Sequence, residues 1–353
     1  MALRINGFFG AGISVGIFGL ALLVTMGSAQ AVDIQKLATY QGADREQMLA
    51  DGAKKEGSLT LYINIPQVYS NLFVQPFEQK YGVKVNIWRA RSELTLKRTI
   101  DEARAGKPAV DVIDSIAPPM EALRREQLLE KIDSPVFKDL APYAIPKHHE
   151  WVSMRELVYV QAYNTNKVKK EDLPKTYQDL LAPKWKGNVG IESDDHEWVS
   201  SVINDMGKEK GVKFFRDLAA NNLAMVTGHP VLVNAVVSGE VPLALTVYNY
   251  DAAHWKEQKA PIDWYVIEPA VTIGDGIAIA RNAPHPHAAL LFYEYMLGVQ
   301  AQTILKNMGF VPTNVNVESP LKNVKLKVLD AAALLDDDDA SEKQFKSLLI
   351  EKR

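Results

Sequence analysis

The chain has 353 residues, 47% of them hydrophobic and 24% charged, with a formal net charge of −3. Such a length and composition suit a globular protein large enough for two domains, and the missing basic excess excludes a general nucleic-acid binder. There is no cysteine, which excludes disulfides, a thiol nucleophile, a cysteine metal site and a cysteine-linked lipid anchor.

Residues 1–31 carry one charge, Arg4, then an apolar run from Phe8 to Val24, and end in the small-x-small pattern Ala29-Gln30-Ala31. This predicts a secretory signal peptide cleaved after Ala31 and a mature protein exported to a bacterial periplasm. No later apolar run is long enough to span a membrane.

The mature region opens its regular structure with the β-rich run Leu59 to Ile65, after the turn at Gly57-Ser58. Helical spacing of Leu72, Val74, Phe77 and Tyr81 follows, ended by Gly82. Val83 to Trp88 alternates like a strand, and Ser92 is placed to cap a helix running to Gly106. Ala109 to Ser115 is a third strand, and Pro118-Pro119 opens the next helix. Strand–helix alternation of this kind predicts an α/β fold built on mostly parallel sheets with flanking helices. Ligands of such sheets sit beyond the carboxyl ends of the strands. Those ends are Asn64 to Gln67, Arg89 to Ser92 and Asp114 to Ala117.

A long strand, Glu156 to Val168, leads out of this unit, and the same grammar restarts after Pro183-Lys184-Trp185. The stretch "GNVGIES" reads as a strand, "DHEWVSSVINDMGKEKG" and "FFRDLAANN" as helices, and "LAMVTG" as a strand. "HPVLVNAVVSGE" reads as a helix and "VPLALTVYNY" as a strand. The polar run Glu192 to Glu197 reads as a helix N-terminus capped by Ser193 or Asp194, with a ligand cluster as the alternative. Ile277 to Ala280 is a strand and Ala288 to Leu297 a helix, with a helical tail beyond Val324. The four aspartates 336–339 read as a solvated helix start, because they lack the spacing and glycine of a calcium loop.

Several stretches, in this order, resemble the type 2 periplasmic solute-binding proteins of ABC importers. They are "LTLYINIP…FEQKYGVKV", "GKPAVDVIDS", "YVQAYNTNKV", "PKWKGNVGI", "AVVSGEVPLAL" and "GDGIAIARNAPHPHAALLFYEYML". Within these proteins the chain is most similar to the ferric-iron-binding branch of solute-binding family 1. The resemblance implies two lobes, 32–160 plus 280–353 and 161–279, joined by crossing strands, with a solute held in the cleft between them. It also implies hinge closure on the ligand, action as a monomer, and an inner-membrane permease and ATPase as partners.

The resemblance places a histidine or tyrosine ligand at Pro66, a glutamate at Ile116, and a tyrosine pair at Asn249-Tyr250. Only Tyr250 is retained, so it is the candidate metal ligand. Tyr248 would share a face with Tyr250 if the strand continued past it, with Asn249 pointing away. His229 reads as a turn histidine, with a cleft-facing place at a helix start as the alternative, and Asp251 and His254 are weaker candidates.

A competing set suits an anion. Ser92, Ser115, Ser193 and Thr227 stand where strands feed helices, and Arg89 and Arg91 at a strand end suit bidentate pairing. Asn64 and Gln67 complete the candidate ligand contacts. Two cargoes stay open: ferric iron, alone or with a synergistic anion, and a small organic or phosphorylated anion. There is no G-x-S-x-G, H-E-x-x-H or P-loop, so a non-enzymatic receptor is expected. An extracytoplasmic sensor and an enzyme on the same fold are the alternatives.

Overall fold

The computed structural model describes residues 33–351 apart from Pro66. The signal-peptide reading and the ligand position at Pro66 lie outside the described residues. In chain order the elements begin with α1 (Ile34–Thr39), α2 (Arg45–Glu56), β1 (Ser58–Ile63), α3 (Gln67–Tyr81), β2 (Lys84–Arg89), α4 (Ser92–Arg104), β3 (Val112–Ile116), α5 (Ala117–Arg125) and β4 (Val152–Asn164). There follow β5 (Val189–Glu192), α6 (His196–Met206), α7 (Lys208–Ala220), β6 (Ala224–Val226), α8 (His229–Ser238), β7 (Leu243–Tyr248), α9 (Asn249–Glu257) and β8 (Ile262–Tyr265). The chain closes with β9 (Ala270–Ile279), α10 (Pro286–Leu297), α11 (Val299–Asn307), β10 (Val311–Pro312), β11 (Leu326–Val328) and α12 (Ala331–Phe345).

The main strand order is β2-β1-β3-β9-β4-β7-β5-β6. Strands β1, β2 and β3 pair in parallel, as do β5, β6 and β7, while the β3–β9, β4–β9 and β4–β7 contacts are antiparallel. The two parallel groups are the α/β units that the alternating sequence implied, and the antiparallel strands join them. Strand β4 pairs with β9 from Val152 to Val158 and with β7 and β8 from Tyr159 to Asn164. All thirteen residues of β4 and all ten of β9 are buried, as expected of strands covered on both faces. Helix α10 is apolar around most of its circumference and correspondingly buried.

Several expectations are corrected. Strand β4 starts at Val152 and stops at Asn164. Ser92 is the first residue of α4, and Arg91 holds the N-cap position without a side-chain bond. Asp195, in place of Ser193 or Asp194, stands at the N-cap of α6. The four aspartates lie in the middle of α12, whose N-cap is Asp330, accepting the N–H of Ala333. Strand β7 stops at Tyr248, and α9 begins at Asn249 where a continued strand was expected.

Candidate functional site

The site lies where β4 changes partners. The β4–β7 register sets Tyr159 opposite Tyr248. Their rings are 5.0 Å apart, and the Tyr248 hydroxyl donates to the Tyr159 hydroxyl at 3.4 Å. The turn into α9 brings Tyr250 into parallel stacking with Tyr248, 6.0 Å between centroids. Tyr250 in turn packs on Phe310, 4.3 Å away. Three phenols thus form a column, although the strand does not continue through Tyr250.

Beside this column stands an acid–imidazole group contributed by the ends of β5 and β6. The ligand atoms of Glu192, Asp195 and His229 lie within 4.8 Å of one another. His229 Nε2 is 3.3 Å from Asp195 Oδ1, and its Nδ1 donates to the carbonyl of Thr246 at 3.1 Å. The imidazole sits 4.2 Å from the Tyr248 ring. Tyr159 donates to Glu197 Oε1 at 2.6 Å and lies 3.3 Å from Asp195 Oδ1. Asp195 Oδ2 is buried with no hydrogen-bond partner.

Charge and burial act on each group in a definite direction. Burial pushes the phenols of Tyr159 and Tyr248 up, and the carboxylates of Asp195 and Glu197 push them further. Tyr250 is raised by burial and Asp251, against the pull of Arg155. Glu197 is raised to about 7 by burial and Asp195, and Asp251 to about 6 by burial. Burial lowers His229, yet Asp195 carries it up to about 9. The group therefore holds protons tightly, and its formal balance is acidic: four carboxyls, Glu192, Asp195, Glu197 and Asp251, against one imidazole.

A second polar group comes from β1, β3, α4 and β9. Asn64 donates to Asp275 Oδ2 at 3.2 Å and accepts from Arg155 at 3.1 Å. Ser92 accepts the N–H of Ile116 at 3.4 Å, while the Ser115 hydroxyl is buried and unpartnered. Arg155 is itself 0% exposed; its two terminal nitrogens bond Asp114 and Asp275, while its buried Nε has no partner. Its guanidinium lies over the Phe310 ring at 5.1 Å.

The remaining candidates are held by the fold or exposed. Asn249 is buried, with both ends of its amide used by the backbone: Oδ1 accepts from Val158 and Nδ2 donates to the carbonyl of Gly309. Arg89 is exposed and donates to the Asn64 carbonyl, and Arg91 is exposed. Gln67 is exposed at the start of α3. Ser193 and Thr227 hydrogen-bond each other at 2.9 Å. Sequence reasoning missed Tyr159 altogether; it read the run Glu192 to Glu197 as a helix start, which Asp195 and Glu197 are, with a ligand cluster as the alternative. A tyrosine inside a run as buried as β4, with a hydroxyl needing a partner, was the one local signal available for Tyr159.

Comparison with known proteins agrees with this architecture. The chain is 24% identical over 325 residues to iron uptake protein A1 of Synechocystis, covering 84% of this chain and 89% of that protein. It is 25% identical over 298 residues to the Fe(3+)-binding periplasmic protein of Serratia marcescens, covering 80% and 88%. The fold matches iron-bound HitA from Pseudomonas aeruginosa with a TM-score of 0.72 at 23% identity, covering 82% of this chain and 99% of that one. It also matches the periplasmic binding protein AfuA from Actinobacillus pleuropneumoniae, solved with fructose-6-phosphate bound, with a TM-score of 0.70 at 24% identity, covering 83% and 99%. The overall fold is thus shared with periplasmic binding proteins. Since residues 107–337 match the model of the bacterial extracellular solute-binding proteins, the chain belongs to that family.

Proposed function

We propose that this chain is the extracytoplasmic receptor of an ABC importer and that its cargo is ferric iron. The observation that carries the cargo is Asp195. Its buried carboxylate has one unpartnered oxygen, 3.3 Å separates its other oxygen from His229, and it stands beside Tyr159 and Tyr248. Phenolate, carboxylate and imidazole are hard or intermediate donors suited to a small, highly charged cation. A cation also offsets the repulsion among the clustered acids, whereas an anion adds to it.

In this reading Tyr248, Tyr250, Asp195 and His229 face the metal, with Tyr159 bonded behind them. Asn64, Ser92 and Ser115 line the opposite wall. The lobes divide as 33–160 plus 280–351 and 161–279, a division supported by the change of partners along β4. The receptor closes about the crossing strands, hands its cargo to a membrane permease and its ATPase, and does no chemistry on it. A relative named an iron uptake protein and one named an Fe(3+)-binding periplasmic protein support the cargo, and the second also supports the periplasmic location. Among the described residues no helix is long and apolar enough to cross a membrane.

Ferric citrate added to the purified protein is expected to raise its unfolding temperature. A visible tyrosinate-to-iron charge-transfer band should also appear, lost in Tyr250→Phe and weakened in Tyr248→Phe. A colourless protein with no thermal gain, or one stabilised by fructose 6-phosphate instead, overturns the iron reading in favour of a phosphorylated anion.

A further inference from the structure

Glu192 ends β5, and its side chain turns into the gap between the starts of α6 and α8. Its Oε2 accepts the N–H of Asp194 at 2.6 Å, and its Oε1 accepts the N–H of Gly228 at 2.7 Å. The residue is 4% exposed, and its own N–H is held by Thr246 Oγ1 at 3.0 Å. Gly228 has a φ of +97°, a backbone conformation that favours glycine and here turns its N–H toward Glu192. The paired hydroxyls of Ser193 and Thr227 come from the residues next to Glu192 and Gly228, and His229 follows directly.

Converging N–H groups at helix starts, with hydroxyls and an imidazole nearby, make up the donor set by which proteins hold a free phosphate or carboxylate. In this chain the protein's own carboxylate already occupies that set. A simple helix cap needs neither burial nor a second carboxylate within 4.8 Å. An acid kept in that position despite Asp195 has another consequence: the donors an anionic solute requires are satisfied before it arrives.

We propose that Glu192 is the specificity-determining residue of the cleft, a built-in carboxylate that fills the anion seat between α6 and α8 and so excludes phosphate- and carboxylate-bearing solutes. The proposal rests on the cation reading above and names how the opposite class of ligand is refused. Glu192→Ala empties the seat and leaves the N–H groups of Asp194 and Gly228 without their carboxylate acceptor, which favours a new anion there. Glu192→Gln fills the seat with a neutral side chain and keeps it closed.

The test is calorimetric titration of metal-free protein with inorganic phosphate, then with fructose 6-phosphate. Wild type and Glu192→Gln are expected to show no binding. Glu192→Ala is expected to bind phosphate at least about tenfold tighter than wild type, a difference of about 1.4 kcal/mol. If Glu192→Ala does not fold, Glu192→Ser opens the same seat and carries the same expectation. Phosphate bound equally by wild type, or no gain in either opened variant, overturns the proposal. A parallel ferric titration separates the two readings. Gained phosphate binding in a chain that takes no iron sinks the cargo assignment alone, and iron binding without any gain sinks the role of Glu192 alone.

Discussion

Asn249 donates its side-chain amide to the carbonyl of Gly309 at 2.7 Å, tying the start of α9 to the turn between α11 and β10. The other end of the same amide accepts the N–H of Val158 at 3.4 Å. The residue that stands at the first position of the expected tyrosine pair is therefore a buried brace between three segments. Asn249→Ala leaves a carbonyl and an N–H without their partner, and should cost about 1–3 kcal/mol per buried group left unsatisfied, measured by urea denaturation. Asn249→Tyr should destabilise as well and add no iron affinity, because the larger ring has no room at a site 1% exposed.

Gly309 has a φ of +90°, and a Cβ built there would meet Tyr250 Cα at 3.0 Å. Gly309→Ala is expected to displace Tyr250 and weaken ferric binding, as read by competition with a chelator, although no donor group is removed.

Arg155 carries a buried junction of three strands, reaching Asp114 through two 3.0 Å bonds and Asp275 at 2.8 Å. Burial already pushes the Asp114 carboxyl well up, against the pull of Arg155. Arg155→Met strands two facing carboxylates, and the expected loss is about 3–5 kcal/mol. Adding Asp114→Asn to that variant should recover part of it. Equal stability of the single and double variants would show that the carboxylates are not the cause.

Glu156, in the same strand, is held up to about 7 by burial, against an ordinary value of 4.5. A raised carboxyl means the folded chain binds more protons than the unfolded one between these two values. Stability is then full below about pH 4.5 and declines as pH rises toward 7, by at most about 3 kcal/mol. Glu197 and Asp251 are raised in the same sense, so the wild-type decline has several contributors. Glu156→Gln should flatten the decline measured by denaturation at pH 5 and 7.5. An unchanged slope would remove Glu156 as a contributor.

The aspartate run of α12 is engaged by neighbours: Asp336 pairs with Arg125 of α5, and Asp338 with His196 of α6 at 2.9 Å. Exposed pairs of this kind contribute little. Asp336→Asn and Asp338→Asn should leave the unfolding midpoint nearly unchanged, and millimolar calcium should not shift it. A calcium-dependent midpoint would restore the metal reading of the run.

The sequence by itself determined the strand–helix grammar and the pairing of strand ends with polar residues. These are local properties, set by hydrophobic period, caps and turn residues within a few positions of one another. The tertiary structure alone decided which groups meet. Tyr159 and Tyr248 are 89 residues apart and become neighbours only through the β4–β7 register. Glu192, Asp195 and His229 converge because β5 and β6 pair in parallel and feed adjacent helices. Asn249 was drawn inward to satisfy distant backbone groups, while Arg89 and Arg91 were left exposed. Whether a polar side chain serves a ligand or the fold depends on which donors and acceptors surround it after burial. That is a non-local quantity, and no spacing along the chain encodes it.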